Sequence, residues 1–476
     1  MSILLRGGTL VDGTGAAATP GDVLVVGDRV AQVGRVDEVP ADCRVLDCAG
    51  LVVSPGFIDP HTHDDAAVLR PGALDGKLAQ GVTTVVVGNC GIGLPPVRLI
   101  PGQAPPPPLN LLGTAAAFAY PDYPSYLQAL REAALQVNVA VLGGHSALRV
   151  ACCADWHKPA SRHEIDAMAA RLDEGLACGL AGFSTGLAYP TAIAAPTAEV
   201  TALARVSARR HKPFAIHLRD EYDGVWDALT EAFEIARDSQ AFLLLSHQKT
   251  AGPRQRGRAR ELLDRIDDAA RDLPLALDAY PYDAGSTVLD AESVRQSREV
   301  LVTWSVPHPE LAGRTLSEAA TALNLPLDLA IPALQPAGAA YFHMDPADVR
   351  QILTHPRCMV GSDGLPEDTC PHPRLFGAFA RFLGTWVRDL QLVGLPEAVR
   401  KVTSLPAEVF ALSDRGVLRA GARADVAVWS RTEFADRATW THPRQLAVGM
   451  RWVLVNGCVA WSPRGSGEAG GQVVGG

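Results

Sequence analysis

At 476 residues the chain exceeds one ordinary domain, and 47% apolar against 20% charged residues describes a protein that buries a sizeable core, excluding a disordered chain. A formal net charge of −9 argues against a nucleic-acid partner, and no block of lysines and arginines marks a membrane surface, so small polar substrates stay open. Nine scattered cysteines exclude a dense disulfide framework, and with no basic leader and no apolar run near the ~18 residues of a membrane span, the expectation is a cytoplasmic protein without membrane contact.

The chain opens with short β-rich runs separated by turns, at 3–5, 22–26, 29–33 and 44–46. From about residue 56 to 410 short apolar runs alternate with helical periodicity, the texture of βα units around a parallel sheet. The candidate strands are 51–59, 83–87, 137–142, 182–184, 214–217, 242–246, 275–278 and 358–362. Helices are expected at 164–178, where Ser161 and Glu164 form a capping box, and at 225–239. Eight such strands predict the α/β class and a closed (β/α)₈ barrel over 56–414. Residues 94–124, with four consecutive prolines at 105–108, read as a loop insertion, and 288–345 as an excursion from the barrel. Runs at 424–429, 451–455 and 458–461, with the hairpin signal Asn456-Gly457, repeat the β texture of the start. Beyond Ser462 the glycine-rich tail is expected to fray.

In barrel enzymes the working residues stand where strands stop. The first candidate strand runs into His61-Thr62-His63, whose rings leave toward one point if the pleat persists. The second leads to Cys90, others to His217 and His247, and the last to Asp363. Imidazole, thiolate and carboxylate are zinc ligand types. Each residue alone also fits a bland role: a strand-end histidine can cap a carbonyl, Cys90 can be a small core residue, Asp363 can cap a helix. Six together at one rim point to a metal centre. His157, His163, His211 and His343 lack that context and read as surface or packing residues.

The words Gly56-Phe57-Ile58-Asp59-Pro60-His61-Thr62-His63, Gly88-Asn89-Cys90-Gly91, Gly144-His145-Ser146-Ala147-Leu148-Arg149, Ser184-Thr185-Gly186-Leu187-Ala188-Tyr189-Pro190, Ser246-His247-Gln248-Lys249 and Ser362-Asp363-Gly364 run in order over nearly the whole chain. In them the chain resembles the amidohydrolase superfamily, and within it the N-acyl-D-amino-acid deacylases, the D-aminoacylase family. Gly421-Ala422-Arg423-Ala424-Asp425-Val426 is similar to the superfamily's return into a small β-sandwich, which residues 1–55 and 415–476 would build together. The resemblance implies one tightly held Zn²⁺ on Cys90, His217 and His247, and a weaker or vacant second position framed by His61, His63 and Asp363. No lysine lies in 179–190, so the bridging carbamylated lysine of hydantoinase- and dihydroorotase-like relatives is missing.

On that footing the expected reaction is hydrolysis of an N-acyl-D-amino acid by a zinc-activated water, with Asp363 as general base and then acid. For Asp363 a purely ligating role is the alternative. The resemblance assigns Lys249, Tyr189, Tyr282 and Ser286 to substrate binding. Of Tyr280 and Tyr282, which flank Pro281, one is expected to face the site. Arg374 is a further carboxylate-binding candidate or else an exposed helix-end arginine, and His145 is a hydrogen-bonded neighbour of the ligands rather than a ligand. The competing readings are a cyclic-amide hydrolase and a catalytically inactive barrel relative.

Overall fold

The computed structural model describes residues 2–475. Eight strands pair in parallel in chain order: β1 (Phe57–Asp59), β2 (Val82–Val87), β3 (Asn138–Gly144), β4 (Gly182–Gly186), β5 (Phe214–His217), β6 (Leu243–Leu245), β7 (Leu275–Ala279) and β8 (Cys358–Val360). Between β8 and β1 the ladder shrinks to one parallel bridge, Thr62 to Gly364, beside which the Asp363 amide donates to the His61 carbonyl at 2.8 Å. The expected barrel is thus nearly closed.

A parallel strand is covered on both faces, which is why β2 reads Val-Thr-Thr-Val-Val-Val and is buried throughout. Alternation then sorts the side chains. Ile58, Val86, Leu142, Ala215, Leu244 and Met359 belong to one buried cluster, while their neighbours Phe57, Val85, Phe214, Leu243 and Cys358 join the larger cluster that includes the surrounding helices. His217 has the parity of Ala215, and Asp278 that of Ala276, so both continue the inner set. The helices Arg162–Cys178, with the expected Ser161 and Glu164 capping box, and Val225–Ser239 lie where the sequence places them.

Two expectations are corrected. The apolar run 51–59 is not one strand: Val52–Pro55 pairs antiparallel with Val426–Trp429 in another sheet, and β1 begins only at Phe57. The break is Gly56, where a Cβ would lie 2.2 Å from the Thr83 hydroxyl. The tail does not fray up to its described end; Val473–Val474 pairs in parallel with Val139 and Ala140 of β3. Pairing of β3 with β4 begins only at Leu142, so the start of β3 has an open edge that the tail fills. The excursion contains its own antiparallel sheet, Gly285–Val288, Ala337–Tyr341 and Val300–Ser305.

The two chain ends build one nine-stranded sheet, joined where Val52–Pro55 meets Val426–Trp429. Ile3, Val25, Val53, Val426 and Leu454 share its core. Among the described residues no helix is long and apolar enough to cross a membrane, and all nine cysteines are unpaired.

Candidate metal centre

His61 and His63 follow β1, Cys90 follows β2, His217 ends β5, His247 follows β6 and Asp363 follows β8, so all six reach the C-terminal rim. Three of them leave the pleat on left-handed backbone: Cys90 at φ 55°, His247 at φ 32° and Asp363 at φ 48°. Such residues cost of order 1–3 kcal/mol each and persist where the surroundings impose them. At Cys90 the surroundings are tight. A Cβ on Gly88 would lie 2.3 Å from the Leu142 carbonyl oxygen, and the Ser184 hydroxyl, which donates to the Gly88 carbonyl, accepts from the Gly91 amide at 2.9 Å.

Cys90 Sγ lies 3.2 Å from both His61 Nε2 and His247 Nε2. Asp363 Oδ1 lies 3.2 Å from His63 Nε2 and 3.5 Å from His61 Nε2. Three groups are close enough to hold an ion: His61, Cys90 and His247; His61, His63 and Asp363; and His217, Glu221 and His247. The six expected residues therefore converge, with two differences. His61 stands between the two positions, beside Cys90 as well as Asp363, and His217 falls with Glu221. His217 still faces the cluster: its ring centroid is 4.5 Å from that of His247, and its Nδ1 is buried without a partner. A buried orphan ring nitrogen beside a thiolate and imidazoles fits a tetrahedral zinc site.

Carboxylates absent from the sequence-based set orient these rings. Asp278, at the end of β7, accepts the His247 amide at 2.9 Å and lies 3.2 Å from His61 Nδ1. Glu221 lies 3.0 Å from His247 Nδ1 and 2.6 Å from Lys249 Nζ. Behind them Lys77 Nζ joins Asp59 at 2.7 Å to the Ser362 hydroxyl at 2.6 Å, tying β1 to the segment that carries Asp363. Asp278 stood at a strand end like the ligands, and Glu221 four residues past His217; both signals were available in the sequence.

The electrostatics favour positive charge at the centre. Burial pushes the Cys90 thiol up, but His61 and His247 outweigh it and hold the thiol well below its ordinary range. Burial likewise opposes, and Arg374 and His61 override, so that Asp363 is held well below the usual carboxylate range. Glu221 is depressed well below its ordinary value, against its burial, by Lys249, His217 and His247. Burial would lower His63 and His247, yet both sit at about 9, His63 through its bond to Asp363 and the nearby Cys90 thiol, His247 through Cys90 and Glu221. Thiolate and carboxylate thus gather the charge that a divalent cation also supplies.

A cavity of about 420 Å³ opens over this cluster, lined by His63, His217, His247, Asp363, Lys249, Tyr189 and Ser286 among others. Tyr189 is nearly buried, with its ring centroid 4.9 Å from that of His217. Tyr280 lines the cavity and Tyr282 does not. The Tyr282 hydroxyl is buried without a partner and its ring packs under Arg381, which corrects its place in the expected set. Arg374 is not the exposed alternative: it is fully buried at the start of helix Arg374–Arg381, 2.8 Å from Asp363 Oδ2 and stacked on Tyr280. His145 touches no candidate ligand; it bonds the Thr185 hydroxyl at 2.8 Å and Glu199 at 3.0 Å, tying β4 to the helix Thr197–Arg209 on either side of the loop that carries Tyr189. His343, read as a surface or packing residue, instead lines the cavity, bonded to the Tyr222 hydroxyl at 3.0 Å with its Nε2 buried and unpartnered. No strand-end signal marks it, because it follows a strand of the excursion sheet.

The amidohydrolase family profile matches residues 44–216 and 311–460. The chain is 43% identical over 473 residues to a D-aminoacylase of Alcaligenes xylosoxydans xylosoxydans, covering 99% of this chain and 97% of that one. It superposes with a TM-score of 0.96 and 43% identity on a D-aminoacylase structure concerned with a binuclear metal centre, one-metal activation and second-metal attenuation, over 100% of this chain and 99% of the other. An N-acyl-D-glutamate deacylase of Bordetella bronchiseptica, complexed with zinc and a phosphonate mimic of the tetrahedral intermediate, matches with a TM-score of 0.95 and 42% identity, again over 100% and 99% of the chains.

Proposed function

The chain belongs to the amidohydrolase family, and from that premise we propose a zinc-dependent deacylase that hydrolyses N-acyl-D-amino acids to a carboxylate and the free D-amino acid. The observation that carries this reading is Cys90, a depressed thiol 3.2 Å from two imidazoles at a barrel rim whose β4 end offers no lysine. Cys90, His217 and His247 hold the tight ion; His61, His63 and Asp363 frame a weaker position. Zinc, when bound, acidifies water and polarises the scissile carbonyl.

The remaining work falls to the chain. Arg374 keeps Asp363 ionised, so Asp363 takes the proton of the attacking water and returns it to the departing amine as the C–N bond breaks. Glu221 and Asp278 fix the rings of His247 and His61. Lys249, with Tyr189 and Ser286, meets the substrate's α-carboxylate across the cavity. Both the lysine and the arginine of the lining already have a carboxylate partner, Lys249 in Glu221 and Arg219 in Glu231. Unpaired thiols and the absence of a spanning helix among the described residues support work in a reducing cytoplasm.

A panel of N-acetyl-D-methionine, its L-enantiomer, N-acetyl-D-glutamate and a hydantoin, assayed with zinc, after chelation and after zinc is restored, tests the reading. Turnover of the D-methionine derivative that chelation abolishes and zinc restores is expected. Exclusive hydantoin turnover would defeat it.

A further inference from the structure

A second cavity, of about 1060 Å³, lies beside the catalytic one and is more than twice its size. Leu111 lines both. The other walls also grow out of the catalytic cluster: one continues from His63 to Ala66, Leu69 and Arg70, another from Asp363 and Leu365 to Glu367, Asp368 and Thr369. The proline-rich insertion, from Pro101 to Tyr120, supplies a third side, and Trp304, Val306 and Pro336 of the excursion a fourth.

The lining is mainly apolar, with the half-buried Leu69, Tyr120 and Trp304 presenting surface to it. Its charged side chains are three, and Arg70 and Glu367 pair with each other. Burial pushes the third, Asp368, up to about 7, so it too is readily neutral. A substrate whose carbonyl sits at the cluster sends its amino-acid half toward Lys249 and Ser286. Its acyl half is then left on the side of His63, Leu111 and Leu365, of which Leu111 also lines the second cavity.

We propose that this second cavity is an acyl-chain subsite, taking the linear alkyl chain of an N-acyl group much longer than acetyl. The proposal rests on the deacylase reading and adds the class of acyl group. Each methylene moved from water into such a lining is worth up to about fourfold in binding. A chain reaching past Leu111 therefore gains specificity that acetyl cannot.

Two measurements test it together. The first is kcat/KM for acetyl-, butanoyl-, hexanoyl- and octanoyl-D-methionine, in the native enzyme and in Ala115→Trp, which places an indole among the insertion residues lining the cavity. The expected result is a rise of at least about tenfold from acetyl to octanoyl, with the octanoyl-to-acetyl ratio falling about tenfold in the variant. The second is calorimetric affinity for octanoate against acetate, which needs no turnover and therefore reads the cavity even if the deacylase reading fails. Tighter octanoate binding, weakened by Ala115→Trp, is expected. A flat or falling chain-length series, or octanoate bound no tighter than acetate, would overturn the subsite.

Discussion

Replacing Lys77 by methionine isolates the buried cation beneath the cluster. Lys77 is 2% exposed, and its ammonium lies 2.7 Å from Asp59, 2.6 Å from the Ser362 hydroxyl and 3.4 Å from Asp64. Methionine keeps the apolar stem and withdraws the charge. Asp59 and Asp64 then stay buried without their cation, and neither Asp64 oxygen has a hydrogen-bond partner to soften the loss. Breaking a buried pair on one side costs about 3–5 kcal/mol. Asp59 Oδ1 also accepts the amides of Ser362 at 3.0 Å and His61 at 3.3 Å, next to or at candidate ligands, so zinc affinity should weaken about 10- to 100-fold. The assay is urea unfolding of the zinc-loaded protein by circular dichroism, with zinc competition against a chromophoric chelator. Adding Asp59→Asn should recover part of the loss, because the amide leaves no unpaired charge at that position. A loss below about 1 kcal/mol, the worth of an exposed pair, together with unchanged zinc affinity would refute the reasoning.

Other perturbations read different parts of the site. Glu221→Gln withdraws the carboxylate from His247 Nδ1 and Lys249, and zinc dissociation should strengthen about 10- to 100-fold with the fold intact; native-like affinity would show that Glu221 does not orient the ring. His63 and His247 sit at about 9 and a ligand imidazole must be neutral, so zinc uptake at neutral pH should release protons and tighten as pH rises toward 9, as calorimetry in buffers of differing ionisation enthalpy would report. At Asp368 burial raises the folded-state value to about 7, above that of the unfolded chain. The stability it contributes is complete below the unfolded value and lost as pH rises through 7, about 4 kcal/mol in all. Unfolding midpoints of Asp368→Asn should therefore fall less than those of the native protein between pH ~4 and ~8, and parallel curves would contradict the assignment.

The barrel was legible because parallel strands leave long apolar runs, and the site because five of the eight runs lead to a residue type that suits a metal. His61, Cys90, His217, His247 and Asp363 could be found by looking only at strand ends. What was hidden depended on contacts without a local signature. Gly56 turns one apolar run into two strands in different sheets, a break dictated by the Thr83 side chain across the ladder. Whether Tyr280 or Tyr282 faces the cavity follows from the Arg374 and Arg381 side chains stacked on their rings, and Arg374 itself sits at a helix start that reads as solvent-facing. His343 and the second cavity belong to the excursion and the proline-rich insertion, whose weak periodicity left them unplaced.

The join between Val52–Pro55 and Val426–Trp429 bears on how the protein is made. Ser54 and Ala427 meet across 373 residues of chain, so Val52–Pro55 leaves the ribosome long before its partner on this side is translated. Until then Val52 and Val53 present an unsatisfied apolar edge, the kind of surface that chaperones cover and that clumps when they do not. Nascent chains stalled within the barrel should therefore be the aggregation-prone species during expression, and slowed refolding should trace to this late closure rather than to the βα units between.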